Sequence, residues 1–520
     1  FGVTLERTPV EMEVRPTQPG NIFCGSEKPE VLVALRPRVT GTYELRWALR
    51  DVAGQPCGGG HKSLSLQAGE AELTVPISLA QPQVGWYAVE CSLWQGSRAL
   101  LTHHAACALL PPDTRQAGFE SPYASWWFDH HYGTSNPKTI GPLVLKAGFR
   151  RMAYGCARHT EAELAPWKFT AAAVGWGGLQ DPKATDEQLE AAIRATVDKF
   201  PHCGNILLFH ESMPNAPLGT RTAWELFGLP VKEYPGADER WAQVTRVARI
   251  VREKFPQLRI YLGNSGASSE LIAEGLRRGF PKEYADYVGI ETVGRTGHPE
   301  RLWEGGLPGV WLLREIVRQR GYPWGVTSCF ETNYRQERLL GPQRQSEWYV
   351  RDVLLSHAYR FPYISIALLH DVGNSYHGSF WGATGLCRRF PLLYPKPSYV
   401  AMATVTRVLD RVTLRREVPT GSNCVYALDF ARSDGRHVYP VWTARGTCAL
   451  TVAVKGASRL EVVDLYGRTR PLATAAGKAT LNAGTAVQYL VTSGTLAGVT
   501  CGQRTYPEDQ PPAAFAVANA

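Results

Sequence analysis

The sequence predicts a mixed α/β protein in which a (β/α)8 TIM barrel is flanked by an N-terminal and a C-terminal β-sandwich domain. Three observations predict this fold class. Between residues 119 and 410, eight short apolar runs alternate with amphipathic helical segments. The segments before and after this region alternate apolar and polar residues, as half-buried strands do. Polar residues follow several of the eight runs, as at the carboxyl ends of barrel strands.

Composition excludes several classes of partner. The net charge of +9 is spread along the chain without a basic tract, so we predict no nucleic-acid partner. No apolar run approaches the roughly 20 residues that cross a bilayer, so we predict no membrane partner. The 11 cysteines lack metal-ligand spacing, which argues against a zinc site. Either they are mostly buried free thiols, or an exported protein contains one or two disulfides.

Changes in residue pattern and composition along the chain predict four segments. Residues 1–112 form the N-terminal, immunoglobulin-like sandwich, 113–411 the barrel, 412–498 the C-terminal sandwich and 499–520 a Pro/Ala-rich tail. Weak order is expected for residues 506–520 of this tail. The chain starts at Phe1, so a signal peptide could have been removed. We expect a secreted, periplasmic or cell-surface location.

The barrel prediction depends on a count of eight strands with helices between nearly all of them. The predicted strands are 123–128, 150–154, 169–174, 206–209, 259–263, 287–291, 324–328 and 363–369, and the predicted helices are 137–147, 185–200, 238–255, 268–279, 308–320, 345–360 and 397–410. A doubly wound sheet is the alternative. It normally needs a glycine-rich turn after the first strand, which residues 129–133 do not supply.

Two of these strands lead into glutamates. The stretch NILLFHESMPN (205–215) carries Glu211 after strand 4, and WGVTSCFETN (324–333) carries Glu331 after strand 7. Strands 4 and 7 lie nearly opposite each other in a barrel, so the two carboxylates could approach to about 5 Å. Each negative charge would then raise the pKa of the other group. Such a pair can cleave a glycosidic bond, with one glutamate as the acid and the other as the nucleophile.

Other residues near the strand ends are candidates for substrate binding. They are His130, Arg151, Trp176, His210, Glu291, Asn333, His377 and Trp381. Tryptophan rings can stack on sugar faces, and polar side chains can bind hydroxyl groups. Glu291 after strand 6 also competes for a catalytic role. The alternative for each glutamate is an ion pair with a nearby arginine such as Arg295 or Arg335. The alternative for each tryptophan is packing in the protein core without a role in binding.

These motifs resemble those of the clan A glycoside hydrolases. The stretches that carry the resemblance are NILLFHES with Glu211, WGVTSCFET with Glu331, and SFWGATGL (379–386) followed by residues 395–410. The resemblance implies a (β/α)8 barrel with Glu211 as acid/base and Glu331 as nucleophile. It also implies that Arg151 steadies the nucleophile. His210 stands where the clan has Asn, and Glu291 stands near the place of a Tyr.

The predicted function is therefore a retaining glycoside hydrolase that cleaves β-glycosidic bonds by double displacement. The expected partner is an oligo- or polysaccharide substrate, and no cofactor or metal is expected. Two alternatives are a catalytically silent carbohydrate-binding protein on the same barrel and a metal-dependent barrel hydrolase.

Overall fold

The computed structural model describes residues 7–81, 83–126, 136–153, 159–208, 237–263, 275, 278–292, 298–300, 330–334, 337–372, 382–457 and 459–506. The N-terminal strands are β1 (Val10–Pro16), β2 (Ile22–Cys24), β3 (Glu30–Pro37), β4 (Gly41–Asp51), β5 (Pro56–Leu66), β6 (Leu73–Ser78), β7 (Gly85–Gln95) and β8 (Arg98–Leu110). The central strands are β9 (Tyr123–Trp126), β10 (Arg151–Ala153), β11 (Thr170–Ala171), β12 (Asn205–Leu208), β13 (Arg259–Gly263), β14 (Tyr287–Thr292), β15 (Phe330–Tyr334) and β16 (Tyr363–Ala367).

The remaining strands follow the central region. They are β17 (Val412–Glu417), β18 (Val425–Arg432), β19 (His437–Thr443), β20 (Thr447–Lys455), β21 (Arg459–Val463), β22 (Thr469–Ala473), β23 (Lys478–Ala483), β24 (Gln488–Thr492) and β25 (Thr495–Thr505). The described α-helices are α1 (Pro137–Ala147), α2 (Glu161–Leu164), α3 (Asp186–Lys199), α4 (Ala237–Lys254), α5 (Glu337–Leu340), α6 (Pro342–Ala358) and α7 (Pro397–Val408).

Strands β9 to β16 form one curled, parallel sheet of eight strands. Their order is β11-β10-β9-β16-β15-β14-β13-β12, so each strand lies beside its neighbour in sequence. The two ends of this order also meet. The amide of Val174 donates to the carbonyl of Asn205 at 2.8 Å, and the amide of Leu207 donates to the carbonyl of Val174 at 3.0 Å. The predicted parallel α/β region is therefore present.

The sheet buries apolar side chains on both of its faces. One face packs with the helices in the largest core of the molecule, which includes Ile206, Ile260 and Ile364. The other face forms a smaller cluster that includes Ala124, Leu207, Tyr261, Tyr363 and Ala367. Parallel strands buried on both faces are near-continuous apolar runs, which is why the sequence displays them so clearly.

Local signals place the helix ends. Thr185 caps α3 in a capping box with Gln188, because each side chain accepts from the other residue's backbone amide. Prolines begin α1, α6 and α7, where the missing N–H costs no hydrogen bond. Predicted helix 308–320 and most of 268–279 lie outside the described residues.

Two antiparallel sheets precede the central sheet, and two follow it. The strand orders before it are β1-β3-β6 and β2-β8-β7-β4-β5, and those after it are β17-β18-β19-β24-β21-β22 and β23-β20-β25. The five-stranded sheet has one parallel pair, β2 with β8. Each pair of sheets shares one apolar core, which gives the sandwich-like packing that the alternating pattern predicts. Strand β25 pairs with β20 as far as Thr505, so the C-terminal sheets extend past the predicted domain boundary at residue 498. The Pro/Ala-rich composition begins only after this strand.

Hydrogen bonds join the flanking sheets to the central region. The indole of Trp86 donates to the carbonyl of Pro395 at 2.8 Å, and the hydroxyl of Tyr394 donates to the carbonyl of Val14 at 3.1 Å. The ammonium of Lys146 on α1 donates to the carbonyl of Ile22 at 2.6 Å. These contacts fix the N-terminal sheets against α1 and the segment that precedes α7.

Cysteines form no disulfide within the described part of the chain, where nine free thiols occur. Five of them are buried: Cys91, Cys107, Cys203, Cys387 and Cys448. None of the helices in the described ranges is both long and apolar enough to cross a membrane.

Candidate functional site at the carboxyl ends of the parallel strands

The carboxyl ends of the eight parallel strands lie at one edge of the sheet, and this edge is where the candidate site is expected. Five of the predicted site residues follow these strand ends and lie outside the described residues: His130, His210, Glu211, His377 and Trp381. Glu211 comes three positions after Leu208, which ends β12. Its assignment therefore stays a prediction from sequence.

Glu331 and Asn333 belong to β15, which runs from Phe330 to Tyr334. The sequence predicts this strand at 324–328, which lies outside the described residues, and places Glu331 after it. In the structure, Glu331 is the second residue of the strand. Apolar runs and turn residues indicate that a strand is present, but its end depends on pairing with its neighbours.

The register separates Glu331 from Glu291 by one position. Glu331 lies opposite Ile290 of β14 and Ile364 of β16, while Glu291 lies opposite Thr332. Thr332 in turn lies opposite Ser365. Residues directly opposite each other share a register row, and successive rows alternate between the two faces of a sheet. Glu331 therefore shares a row with Ile364 of the helix-facing core, whereas Glu291 shares a row with Ser365 and with Ala124 of the other face. This register makes Glu291 a serious competitor of Glu331.

Arg151 lies at the amino end of its strand, away from the expected site. It is the first residue of β10, and its guanidinium donates to the carbonyls of Ser121 at 3.2 Å and Phe119 at 2.6 Å. Both acceptors precede β9. These contacts stabilise the entry into the sheet, so we leave Arg151 out of the proposed site.

Trp176 is buried in the core between the sheet and the helices. Only 3% of its surface is exposed, so neither ring face is open to a sugar. It packs in the largest apolar core, just before the turn at Gly177–Leu179. For Trp176, plain packing agrees with the geometry better than a role as a sugar platform.

A buried ionic network holds the segment that follows β16. The ammonium of Lys396 lies 2.6 Å from a carboxylate oxygen of Asp371 and 3.0 Å from one of Glu337. Arg388 binds the same Glu337 through two hydrogen bonds of 2.6 and 2.8 Å. Because Lys396 is fully buried, this pairing keeps its charge in the protein interior.

The two carboxylates of this network have opposite pKa shifts. For Asp371, burial outweighs the attraction of Lys396 and raises the pKa. For Glu337, burial also acts to raise the pKa, but Lys396 and Arg388 together lower it below its usual value. The cations thus hold Glu337 ionised, while Asp371 is the group nearer to protonation.

His370 follows β16 by three residues and carries a free acceptor. Its Nδ1 lies 2.9 Å from the carbonyl oxygen of Asp371, which can only accept, so Nδ1 carries the proton. Burial lowers the pKa of His370 and favours this neutral form. Within the described part of the chain, its buried Nε2 has no hydrogen-bond partner. Nε2 is therefore a buried acceptor to which no described group donates.

In the sequence, His370 and Asp371 are distinguished only by their position directly after the predicted strand 363–369, and nothing in the sequence marks Lys396. A lysine immediately before a helix is ordinarily solvated. Its burial follows from the tertiary contact between the segments after β16 and before α7. Among the described residues, no group of three or more His, Cys, Asp and Glu side chains is arranged to hold a metal ion.

Comparison with known proteins shows a likeness in structure only. No family model and no curated protein sequence matches the chain. A family 39 glycoside hydrolase from the gut symbiont Bacteroides cellulosilyticus WH2 is similar over 92% of this chain and 100% of its own, with a TM-score of 0.61 and 17% sequence identity. This likeness shows a shared fold.

Two further solved structures match with lower scores. A putative beta-galactosidase from Bacteroides fragilis has a TM-score of 0.35 and 11% identity, over 92% of this chain and 73% of its own. A Bacteroides uniformis beta-glucuronidase 2 mutant has a TM-score of 0.37 and 13% identity, over 91% of this chain and 57% of its own. At these scores neither match carries an argument about this chain.

Proposed function

We propose that the protein is a retaining glycoside hydrolase whose eight parallel strands form a (β/α)8 barrel. The observation that carries this proposal is the order of the parallel sheet, in which each strand lies beside its neighbour in sequence and Val174 bonds to Asn205 and Leu207 at the two ends. The fold shared with a family 39 glycoside hydrolase supports it. The substrate is an oligo- or polysaccharide with a β-glycosidic bond.

In the proposed mechanism, Glu331 attacks the anomeric carbon while Glu211 protonates the departing oxygen. Glu211 then removes a proton from water, which attacks the glycosyl-enzyme and releases Glu331. His370 binds a sugar hydroxyl group through its free Nε2. Asn333, His130, His210, His377 and Trp381 remain candidates for sugar contacts, and no cofactor takes part.

The test measures hydrolysis of a panel of aryl β-glycosides by the wild-type protein and by three Glu→Gln variants. We expect Glu211→Gln to lower the rate by roughly 10²–10⁴-fold, as loss of a general acid does. Glu331→Gln should lower kcat by about 10⁴-fold or more, as loss of a nucleophile does. Glu239→Gln changes an exposed glutamate of α4 and is the matched control, which should keep full activity.

Azide separates the two roles. A small anion can replace a missing nucleophile, so Glu331→Gly with azide should give the glycosyl azide of inverted configuration. Glu211→Gly with azide should give the retained product, because azide then attacks the glycosyl-enzyme. Restored turnover in Glu291→Gly, and not in Glu331→Gly, would assign the nucleophile to Glu291.

A catalytically silent carbohydrate-binding protein is the second candidate. The observation that favours it is the position of Glu331 inside β15, opposite Ile290 and Ile364, and not after the strand. Binding of a glycan without hydrolysis of any aryl β-glycoside would support this candidate.

A further inference from the structure

Three cysteines of the C-terminal sheets lie close to one arginine. Cys424 immediately precedes β18, Cys448 lies on β20 and Cys501 lies on β25. The guanidinium of Arg504 lies beside the thiol of Cys424 and near that of Cys448. These residues form a cluster of nucleophilic side chains outside the proposed glycosidase site.

The pairing of β20 with β25 brings two of these cysteines together. Cys448 lies opposite Arg504, and Leu450 lies opposite Cys501. Cys448 and Leu450 are two positions apart, so they share one face of the strand. Cys448 and Cys501 are therefore diagonal neighbours on that face, within reach of each other across the strand pair. The thiol of Cys448 lies within hydrogen-bonding reach of the thiol of Cys501.

The apolar core of the C-terminal sheets holds both side chains in place. Cys448 belongs to this core and is only 3% exposed, whereas Cys501 packs against the core and is partly exposed. A disulfide forms only between cysteines that the fold already holds close together. Since Cys501 is the more exposed thiol of the pair, a small molecule reaches it first.

Burial and charge also indicate the order in which the two thiols react. Burial raises the pKa of Cys448, and the neighbouring Cys501 adds to this effect, while the charge of Arg504 acts in the opposite direction. Only a thiolate attacks a disulfide, so the protonated Cys448 is not the first nucleophile. Once Cys448 loses its proton, the positive charge of Arg504 stabilises its thiolate.

We propose that Cys448 and Cys501 form a reversible disulfide by exchange with a low-molecular-weight disulfide such as oxidised glutathione. The thiolate of Cys501 attacks one sulfur of oxidised glutathione, breaks its S–S bond and releases one glutathione thiolate. The thiolate of Cys448 then attacks the sulfur of Cys501 and releases the second glutathione thiolate. Two electrons pass from the cysteines to glutathione, and the two thiol protons pass to the released thiolates.

The disulfide joins β25 to the rest of its sheet by a covalent bond. Strand β25 lies at the edge of the three-stranded sheet, where it pairs with β20. A cross-link between the two strands restricts the unfolded chain, so the oxidised protein should resist unfolding more than the reduced protein. The proposal does not depend on the glycosidase activity.

Peptide mapping of the full chain tests the proposal. The protein is incubated with excess oxidised glutathione or with dithiothreitol, quenched with acid, unfolded, alkylated and digested for mass spectrometry. We expect a peptide linked through Cys448 and Cys501 after oxidation, and alkylation of both residues after reduction. Oxidation should also raise the urea midpoint of unfolding.

Two variants show whether this pair is responsible. In Cys501→Ser, Cys448 should remain alkylated after oxidation, and the part of the midpoint shift that this disulfide causes should be lost. Cys57→Ser changes an exposed cysteine of the N-terminal sheets and is the matched control. It should form the linked peptide to the same extent as the wild type.

Three results in the wild-type protein would overturn the proposal, so the test does not depend on the folding of a variant. One is alkylation of both Cys448 and Cys501 after oxidation. Another is a mixed disulfide of Cys501 with glutathione that does not close. The third is a peptide in which Cys424 is linked to either residue. All three are independent of hydrolysis, so none bears on the glycosidase proposal.

Discussion

His357 on α6 is a residue whose protonation opposes folding. Its Nε2 lies 2.9 Å from the hydroxyl of Tyr123, and its ring packs edge-on against Phe430 at 5.5 Å between centroids. Burial lowers the pKa of His357 to about 4. An unfolded histidine has a pKa of about 6.5, so between these values the unfolded chain binds a proton that the folded chain does not. Stability is therefore lost as the pH falls from about 6.5 towards 4.

Replacing His357 should reduce the sensitivity to acid. In His357→Gln, the loss of unfolding free energy between pH 7 and pH 5 should be smaller than in the wild type by about 1–2 kcal/mol. Urea unfolding at pH 7 and at pH 5 measures this loss of unfolding free energy. His61→Gln changes an exposed histidine and is the control, which should keep the wild-type pH dependence. An equal loss in His357→Gln and in the wild type would contradict the assignment.

His370 permits a test that separates its two nitrogens. The amide nitrogen of Asn can replace Nδ1, which donates to the carbonyl of Asp371, whereas the amide oxygen of Gln can replace the free acceptor Nε2. If Nε2 binds a sugar hydroxyl group, His370→Asn should raise KM by about tenfold. His370→Gln should stay within about threefold of the wild-type KM. Equal changes in the two variants would show that Nε2 does not bind substrate.

At the scale of residues, the sequence allowed candidate glutamates to be predicted, but it did not reveal the contacts of the side chains around them. Glu211, Glu291 and Glu331 stand out because a carboxylate that follows an apolar run is easy to see. Arg151 and Trp176 have the same kind of signal, yet the first bonds to carbonyls at the amino end of the sheet and the second is buried in the core. A pattern in sequence does not specify the direction in which a side chain points.

Among the elements, the segment after β16 depends on one lysine. Lys396, just before α7, is fully buried and pairs with Asp371 and Glu337. Removal of one partner from a buried ionic network leaves uncompensated charge in the interior. The pairing therefore ties the segment after β16 to the start of α7.

Lys396→Met should destabilise the protein by about 3–5 kcal/mol. Urea unfolding at pH 7 measures it, and Lys183→Met, a change at an exposed lysine, should stay within about 0.5 kcal/mol of the wild type. The added substitution Asp371→Asn should restore part of the loss, because it removes one of the unpaired charges. A loss below about 1 kcal/mol in Lys396→Met would show that the network contributes little.

Helices were easier to place from sequence than strands. Predicted helix 137–147 and the observed α1 have the same bounds, since Asn136 caps the helix, Pro137 begins it and Gly148 follows its end in a left-handed conformation. Strand β15 has no comparable signal. Its residues FETNY contain three strand formers, a glutamate and an asparagine, and the pairing with β14 and β16 sets its bounds.

In the whole molecule, buried polar contacts join the central region to the C-terminal sheets. Glu300 accepts from Trp442 at 2.7 Å while it pairs with Arg351 of α6. Both side chains of the pair are nearly or fully buried, so the contact holds only in this arrangement of the three segments. The sequence separates Glu300 from Trp442 by more than 140 positions, and no local pattern could indicate their contact.

The overall architecture was nevertheless predictable, because it depends on features that repeat along the chain. Eight apolar runs with helices between them indicate a parallel sheet, and alternating runs on either side indicate antiparallel sheets. A missed strand end changes little in such a count. A catalytic assignment, by contrast, depends on single residues such as Glu331, where a shift of one position exchanges the two faces of the sheet.

The rate of aryl β-glycoside hydrolysis by Glu331→Gln, compared with Glu291→Gln and the wild type, tests the central claim most directly. If Glu331 is the nucleophile of a retaining glycosidase, its variant should lose about 10⁴-fold or more in kcat. Glu291→Gln should then keep measurable turnover. Wild-type activity that persists in Glu331→Gln and disappears in Glu291→Gln would contradict the assignment.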